Sequence, residues 1–233
     1  MERDEIVDIF DGERAASYDA QLANVEAMHE ALILGIRVVL AQLPDDARIL
    51  CVGAGTGTEI VALARHFPGW HFTALDPAGA MLDVCRDKIA KAGLSARCQF
   101  HHGFLETLPQ TAPYHAATCL LVSHFFVDRP ARRDFLSGIR DRLGPGGVLV
   151  TSDLSADASA PGYDPLMDAW IRFMQLSGKG PDRETYQQNI GKAVGLLPAR
   201  DIEDLLIEAG MEMPFEFFRM LMIAGFISCR PGL

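Results

Sequence analysis

Three glycines at alternate positions, Gly53, Gly55 and Gly57, follow the apolar run Ile49-Leu50-Cys51-Val52 and precede Ile60-Val61-Ala62-Leu63-Ala64-Arg65. A short apolar run feeding a helical pattern through glycines is a strand-to-helix turn. Its backbone can approach a ligand closely, with free N–H groups at the helix start. The spacing is Gly-x-Gly-x-Gly, whereas the dinucleotide fingerprint is Gly-x-Gly-x-x-Gly/Ala, and Thr58 fills its last position. A tight turn without a ligand would use the same glycines. Asp76 closes a second strand-like stretch over 70–75. An acid there accepts hydrogen bonds from ribose hydroxyls in a nucleoside-binding βαβ unit. It is equally placed to cap a helix starting near Ala78. Ser123 and His124 end the apolar run 116–122. Ligands of open α/β sheets bind beyond the C-terminal strand ends, so both should face the reacting centre. A hydrogen-bonded structural histidine is the other reading of His124. The pair His101-His102 is not expected to bind metal, because adjacent strand residues point to opposite faces.

The elements that must position these residues are periodic. Val25, Met28, Leu32, Ile36, Val39 and Leu43 mark one face of a helix from Asn24 to Pro44, with His29 and Arg37 off the stripe and expected in solvent. A helix is expected over 78–91, stopped by Gly93, and a strand over 96–101. The run 116–122 is apolar throughout, as in a strand covered on both faces. A helix over 129–142 carries Arg129, Arg132 and Arg133 between Asp128 and Asp134, a pattern that reads as a solvated face. Gly144-Pro145-Gly146-Gly147 reads as a tight turn before a fifth strand over 148–152. Then the βα rhythm breaks. A loop over 155–165 leads to helical patterns over 166–177 and 183–196, separated by Gly178-Lys179-Gly180-Pro181. These are expected to form a helical cap, residues 155–197, whose apolar face (Leu166, Met167, Trp170, Phe173, Met174) serves packing. Residues 199–209 return to the main fold, and two strands, 215–218 and 221–229, complete the chain.

At 233 residues, with 49% hydrophobic, the chain suits a single domain with a full core. Residues 1–44 form an N-terminal arm and helix, the arm anchored by Ile6, Ile9, Phe10 and Tyr18. Five scattered cysteines without a C-x-x-C pair argue for a reducing compartment and against a metal site. The opening Met1-Glu2-Arg3-Asp4-Glu5 does not read as a signal peptide, and the longest uncharged apolar run is too short to span a bilayer. A cytoplasmic protein with no membrane partner is expected. A net charge of −10 disfavours a nucleic-acid partner. The apolar cap offers a contact for a homodimer.

Four pieces in order resemble the class I S-adenosylmethionine-dependent methyltransferases. They are Cys51-Val52-Gly53-Ala54-Gly55-Thr56-Gly57, Ala74-Leu75-Asp76-Pro77 with Met81-Leu82, Leu143-Gly144-Pro145-Gly146-Gly147, and Glu208-Ala209-Gly210-Met211 before two terminal strands. The resemblance implies a doubly wound α/β fold: a mostly parallel seven-stranded sheet with an antiparallel last strand. It implies S-adenosylmethionine as cofactor, held by Tyr18, Gly53, Ala54, Gly55, Thr56, Gly57, Asp76, Pro77, Met81, Gly103, Phe104, Val122 and Ser123. Phe10, Asp11, Tyr18 and Asp19 match an opening that folds over the cofactor in such enzymes; a loosely packed arm is the other reading of this segment. Two positions depart from the family. Cys51 stands where an acid two residues before the first glycine helps hold the methionine end. Phe104 stands where an acid commonly binds the adenine amino group, and it can pack on the ring instead.

The activity implied is methyl transfer to a small-molecule substrate. A hydroxyl or amine acceptor needs a base, and an imidazole takes and returns protons near neutral pH. His124 is the first candidate, with Tyr163 and Tyr186 from the cap behind it. Residues 166–233 also resemble carboxy-S-adenosylmethionine synthase, which grips the extra carboxylate with a cap arginine. Gln175 stands at that place here, with Arg172 one turn before it. That enzyme, or a catalytically silent cofactor-binding protein, is the alternative; a NAD-dependent oxidoreductase is disfavoured by the glycine spacing and the terminal strand pair.

Overall fold

The computed structural model describes residues 7, 10, 18–20, 25–176 and 180–232. Residues 1–5, Ile6, Ile9, Asp11, Asn24, Gly178 and Lys179, named above, lie outside them. Five parallel strands come first: β1 (Arg48–Val52), β2 (His71–Asp76), β3 (Cys98–His102), β4 (Tyr114–Leu120) and β5 (Leu143–Leu154). β6 (Glu212–Met220) and β7 (Ile223–Cys229) close one sheet in the order β3-β2-β1-β4-β5-β7-β6. β7 runs antiparallel to both β5 and β6. The expected doubly wound sheet with an antiparallel last strand is present.

Helices cover both faces, and the two-residue alternation of β1 shows why. Ile49 and Cys51 join a core with Leu32 and Ile36 of α1 (Glu26–Val39), Ile60 and Leu63 of α2 (Thr58–His66), and Leu82 and Ile89 of α3 (Gly79–Lys91). Leu50 and Val52 face the other way. They pack with Leu136 and Ile139 of α4 (Arg129–Arg142) and Ile202 and Leu205 of α7 (Ala199–Glu208). A side chain of this size gains about 1.5–3 kcal/mol on full burial, so each face is a substantial core. A third cluster joins Met167, Trp170 and Ile171 of α5 (Tyr163–Leu176) and Tyr186 of α6 (Arg183–Asn189) to Val25, Met28, Met222 and Ile223. The apolar face of α5 is therefore used in packing, as expected.

Several boundaries differ from the sequence reading. The helix expected over 183–196 stops at Asn189, where Gly191 takes φ +79° and the chain turns into short bridges, Ile190 to Val194 and Ser155 to Leu197. The glycine turn over 144–147 lies inside β5: Leu143 pairs with Tyr114 and Val148 with Ala116, so the four residues between form a bulge. Arg230 holds that bulge, accepting from Gly146 N at 3.1 Å and donating to Gly147 O at 2.8 Å. His29 and Arg37 are half-buried instead of solvated, because both line a groove between α1 and α2.

Candidate active site

The loops after β1, β2 and β3 meet at the C-terminal edge of the sheet. Gly53 takes φ +71°, and a Cβ there would lie 2.4 Å from Val122 Cγ2. Gly57 takes φ +74°, and a Cβ would lie 2.4 Å from Cys85 Sγ. Only glycine satisfies both the backbone and the contact at these places. Asp76 is 8% exposed. Its Oδ2 accepts from Gly55 N at 2.8 Å and its Oδ1 from Ala78 N at 2.9 Å. Burial raises its pKa, against the lowering effect of those two amides. The helix cap open in the sequence is not made, because the bond goes to Ala78, the residue before α3. The carboxylate instead closes a turn onto Ala78 and ties down the glycine loop, with a lone pair left on each oxygen. Beside it is an apolar cavity of about 80 Å³, lined by Val52, Gly53, Gly103, Phe104, Val122 and Phe125 among others.

The N-terminal segment reaches this edge. Val7 lines the cavity, and Phe10 and Tyr18 pack against Ala78 and Met81. Asp19 accepts from Thr56 Oγ1 at 2.7 Å and pairs with Lys88 Nζ at 2.7 Å; Lys88 also donates to Thr56 and Thr58. Burial would raise the Asp19 pKa, but Lys88 and Thr56 outweigh it and hold it low. A larger groove, about 670 Å³ between α1 and α2, is lined by none of Gly53, Asp76, Phe104 or His124.

Beyond β4 and β5 the edge is built from buried side chains. Asp153, near the end of β5, is 1% exposed. Its Oδ1 lies 3.2 Å from His124 Nδ1 and 3.0 Å from Arg132 Nη2, and its Oδ2 accepts from Ser123 Oγ at 2.6 Å. Arg132 Nε donates to Ser123 Oγ at 2.9 Å, and Nη1 donates to Gly195 O at 3.3 Å. Gly195 N in turn donates to His124 O at 2.7 Å. Burial alone would raise the Asp153 pKa, but Arg132, His124 and Ser123 outweigh it and hold it below the usual carboxylate range. Since Asp153 only accepts, Nδ1 of His124 carries the proton and Nε2 is the remaining ring nitrogen; at 5% exposed, His124 lines neither of the two cavities.

Some expectations need correction. Arg132 is not on a solvated face: it is 1% exposed and shares the stripe of Leu136 and Ile139. The Ser123 hydroxyl is committed to Asp153 and Arg132, so it does not offer itself to the cofactor. Tyr186 is a poor base: its ring is buried against Trp170, and burial pushes its hydroxyl up to about 12. Tyr163 is half-buried, and burial raises it too. His101 and His102 take separate partners, Thr107 Oγ1 at 2.9 Å and Pro77 O at 3.0 Å. Arg172 and Gln175 are both exposed on α5. Sequence reasoning missed Asp153 and Glu59.

Residues 49–147 match a family model described as a methyltransferase domain. In fold, site and this match the chain is similar to the class I S-adenosylmethionine-dependent methyltransferases. The chain is 23% identical over 203 residues to the ubiquinone/menaquinone biosynthesis C-methyltransferase UbiE of Pseudomonas fluorescens, covering 85% of this chain and 78% of that one. It is 29% identical over 145 residues to carboxy-S-adenosyl-L-methionine synthase of Aeromonas salmonicida, covering 57% and 53%. Among solved structures it is similar to the S-adenosylmethionine-dependent methyltransferase SibL, with a TM-score of 0.62 and 25% identity; it covers 88% of this chain and spans only 57% of that one. The cofactor is S-adenosylmethionine, and the residues fit it. Asp76 keeps free lone pairs beside an apolar slot, and the glycine loop lies against it.

Proposed function

We propose that the protein methylates a small molecule at an atom that must lose a proton, a hydroxyl oxygen or an acidic carbon, with His124 as base and Asp153 as its orienting partner. The observation that carries this is the buried contact of His124 Nδ1 with Asp153 at the C-terminal ends of β4 and β5. When bound, S-adenosylmethionine supplies a methyl group already activated on a sulfonium. The chain's residues then have three tasks. Gly53, Ala54, Gly55, Thr56, Gly57, Asp76, Pro77 and Gly103 hold the nucleoside, with Phe104 and Val122 on the adenine side and Tyr18 of the N-terminal arm packed over Met81. Residues 155–197, read as a cap, and the arm exclude water, and orientation within such a closed site contributes about 7–11 kcal/mol to lowering a barrier. The imidazole accepts the acceptor's proton at Nε2, while Asp153 stabilises the cation that results. UbiE is named a C-methyltransferase. Proton loss from carbon needs the same pair.

The net charge of −10 supports a small-molecule substrate over a nucleic acid. Four of the five cysteines are buried and all are free, which supports a reducing cytoplasmic setting. None of the described helices is long and apolar enough to cross a membrane. A homodimer would use exposed Met213 and Phe215 of β6, since the apolar cap is occupied internally. The test is methyl-labelled S-adenosylmethionine with a small-molecule extract or a panel of phenols and quinols. His124→Gln and Asp153→Asn should lose label transfer while keeping S-adenosylhomocysteine binding. Unchanged transfer in His124→Gln would overturn the assignment of the base.

A further inference from the structure

Glu59 is the second residue of α2, directly after the glycine loop, and is 7% exposed. Its side chain turns inward over the centre of the sheet. Oε1 accepts from Thr118 Oγ1 at 3.0 Å. Thr118 is the register partner of Cys51, and the Cys51 thiol lies beside the same carboxylate. Oε2 is buried and has no hydrogen-bond partner. Apart from the Thr118 hydroxyl and the Cys51 thiol the surroundings are apolar, with Cys51 and Ile60 both fully buried. A carboxylate held this way, with one oxygen empty, is unfavourable for folding alone.

The position explains what the residue is for. Methyltransferases of this class usually carry an acid two residues before the first glycine, where this chain has Cys51. A carboxylate touching the Cys51 side chain occupies the space into which a longer acidic side chain at 51 would extend. We propose that Glu59 supplies from α2 the carboxylate that β1 lacks, and that its empty Oε2 receives the ammonium group at the methionine end of the bound cofactor. A charge-assisted bond to an ammonium satisfies the unpartnered oxygen and favours the ionised carboxylate. The N-terminus of α2 supports the same charge through its dipole. Glu59 is thus a binding residue, contributed by a different element from the one the family uses.

The test is calorimetric titration of the full chain with S-adenosylhomocysteine and with 5′-methylthioadenosine, which lacks the amino-acid end. It is run above the Glu59 value of about 7. Glu59→Gln should weaken S-adenosylhomocysteine roughly 10-fold or more and leave methylthioadenosine unchanged. The double variant Cys51→Asp, Glu59→Gln should regain S-adenosylhomocysteine affinity, because the acid is returned to β1. Glu59→Gln binding S-adenosylhomocysteine as tightly as wild type would overturn the role. So would an equal loss for both ligands, which indicates a distorted glycine loop. A wild-type protein that binds neither compound would overturn the cofactor assignment itself, and this role with it.

Discussion

The two halves of the sheet's C-terminal edge hold their polar groups in opposite ways. Over β1 to β3 the groups are backbone amides and two carboxylates: Gly55 N and Ala78 N converge on Asp76, and Glu59 follows the glycine loop on α2. The geometry there comes from glycines that permit close approach. Over β4 and β5 four side chains, Ser123, His124, Arg132 and Asp153, are all 5% exposed or less and are bonded to one another. The first arrangement suits a cofactor common to many enzymes, read by backbone. The second fixes one imidazole, and a buried ion pair must balance its carboxylate. It stands or falls as a unit.

The largest effect should therefore come from splitting that unit. Arg132→Met leaves Asp153 charged and uncompensated, and removing one partner of a buried pair costs about 3–5 kcal/mol. Urea denaturation should show this loss, and Arg132→Met with Asp153→Leu should recover most of it. A single variant as stable as wild type would mean that the pair does not hold the β4–β5 edge.

On the other side of the sheet the contrast is sharpened by pH. Burial, the largest influence, pushes Glu59 up to about 7 from an ordinary 4.5, and Thr118 and Cys51 only partly oppose it. A raised acid contributes stability that is fully present below its unfolded value and is lost as pH rises through its folded value. The ligand-free protein should thus lose stability between about pH 4.5 and 7, on the order of 3 kcal/mol. Glu59→Gln should flatten that slope. Denaturation curves across this window decide it, and a slope that persists in the variant would assign it to another group.

These effects also mark where the sequence was legible. The first strands and the glycine loop follow from local pattern (an apolar run, three spaced glycines, a periodic helix), whereas the sheet's arrangement with an antiparallel last strand rests on the family resemblance. Arg132 was misread because charges next to each other in sequence look solvated. It lies four residues before Leu136 and seven before Ile139, and that inward stripe was the readable signal. Glu59 lies four before Leu63, on the buried stripe of α2. Asp153 could have been suspected from its place at a strand's C-terminal end. No local pattern could join it to His124 and Arg132, which lie 29 and 21 residues away in sequence. The tie of Asp76 to Gly55 was missed for the same reason, since the two are 21 residues apart.

Because Asp76 secures the glycine loop, Asp76→Ala should cost stability as well as affinity. Two lost backbone bonds to a charged acceptor amount to roughly 1.5–3 kcal/mol each at most, less what water replaces. An unchanged melting temperature would mean that the loop holds itself. Smallest of all should be Lys88→Ala. Its pairing with Asp19 is partly exposed, and such pairs are worth about 1 kcal/mol or less. A shift of several degrees in melting temperature would show instead that the arm is clamped through this contact.

The division between the halves is tested most directly by titrating S-adenosylhomocysteine into wild type, Asp76→Ala and His124→Gln by calorimetry. Asp76→Ala should bind roughly 10- to 150-fold more weakly, through loss of a charged acceptor, while His124→Gln binds like wild type. Unchanged affinity in Asp76→Ala, or its loss in His124→Gln, would contradict a cofactor held over β1 to β3 and a base held over β4 and β5.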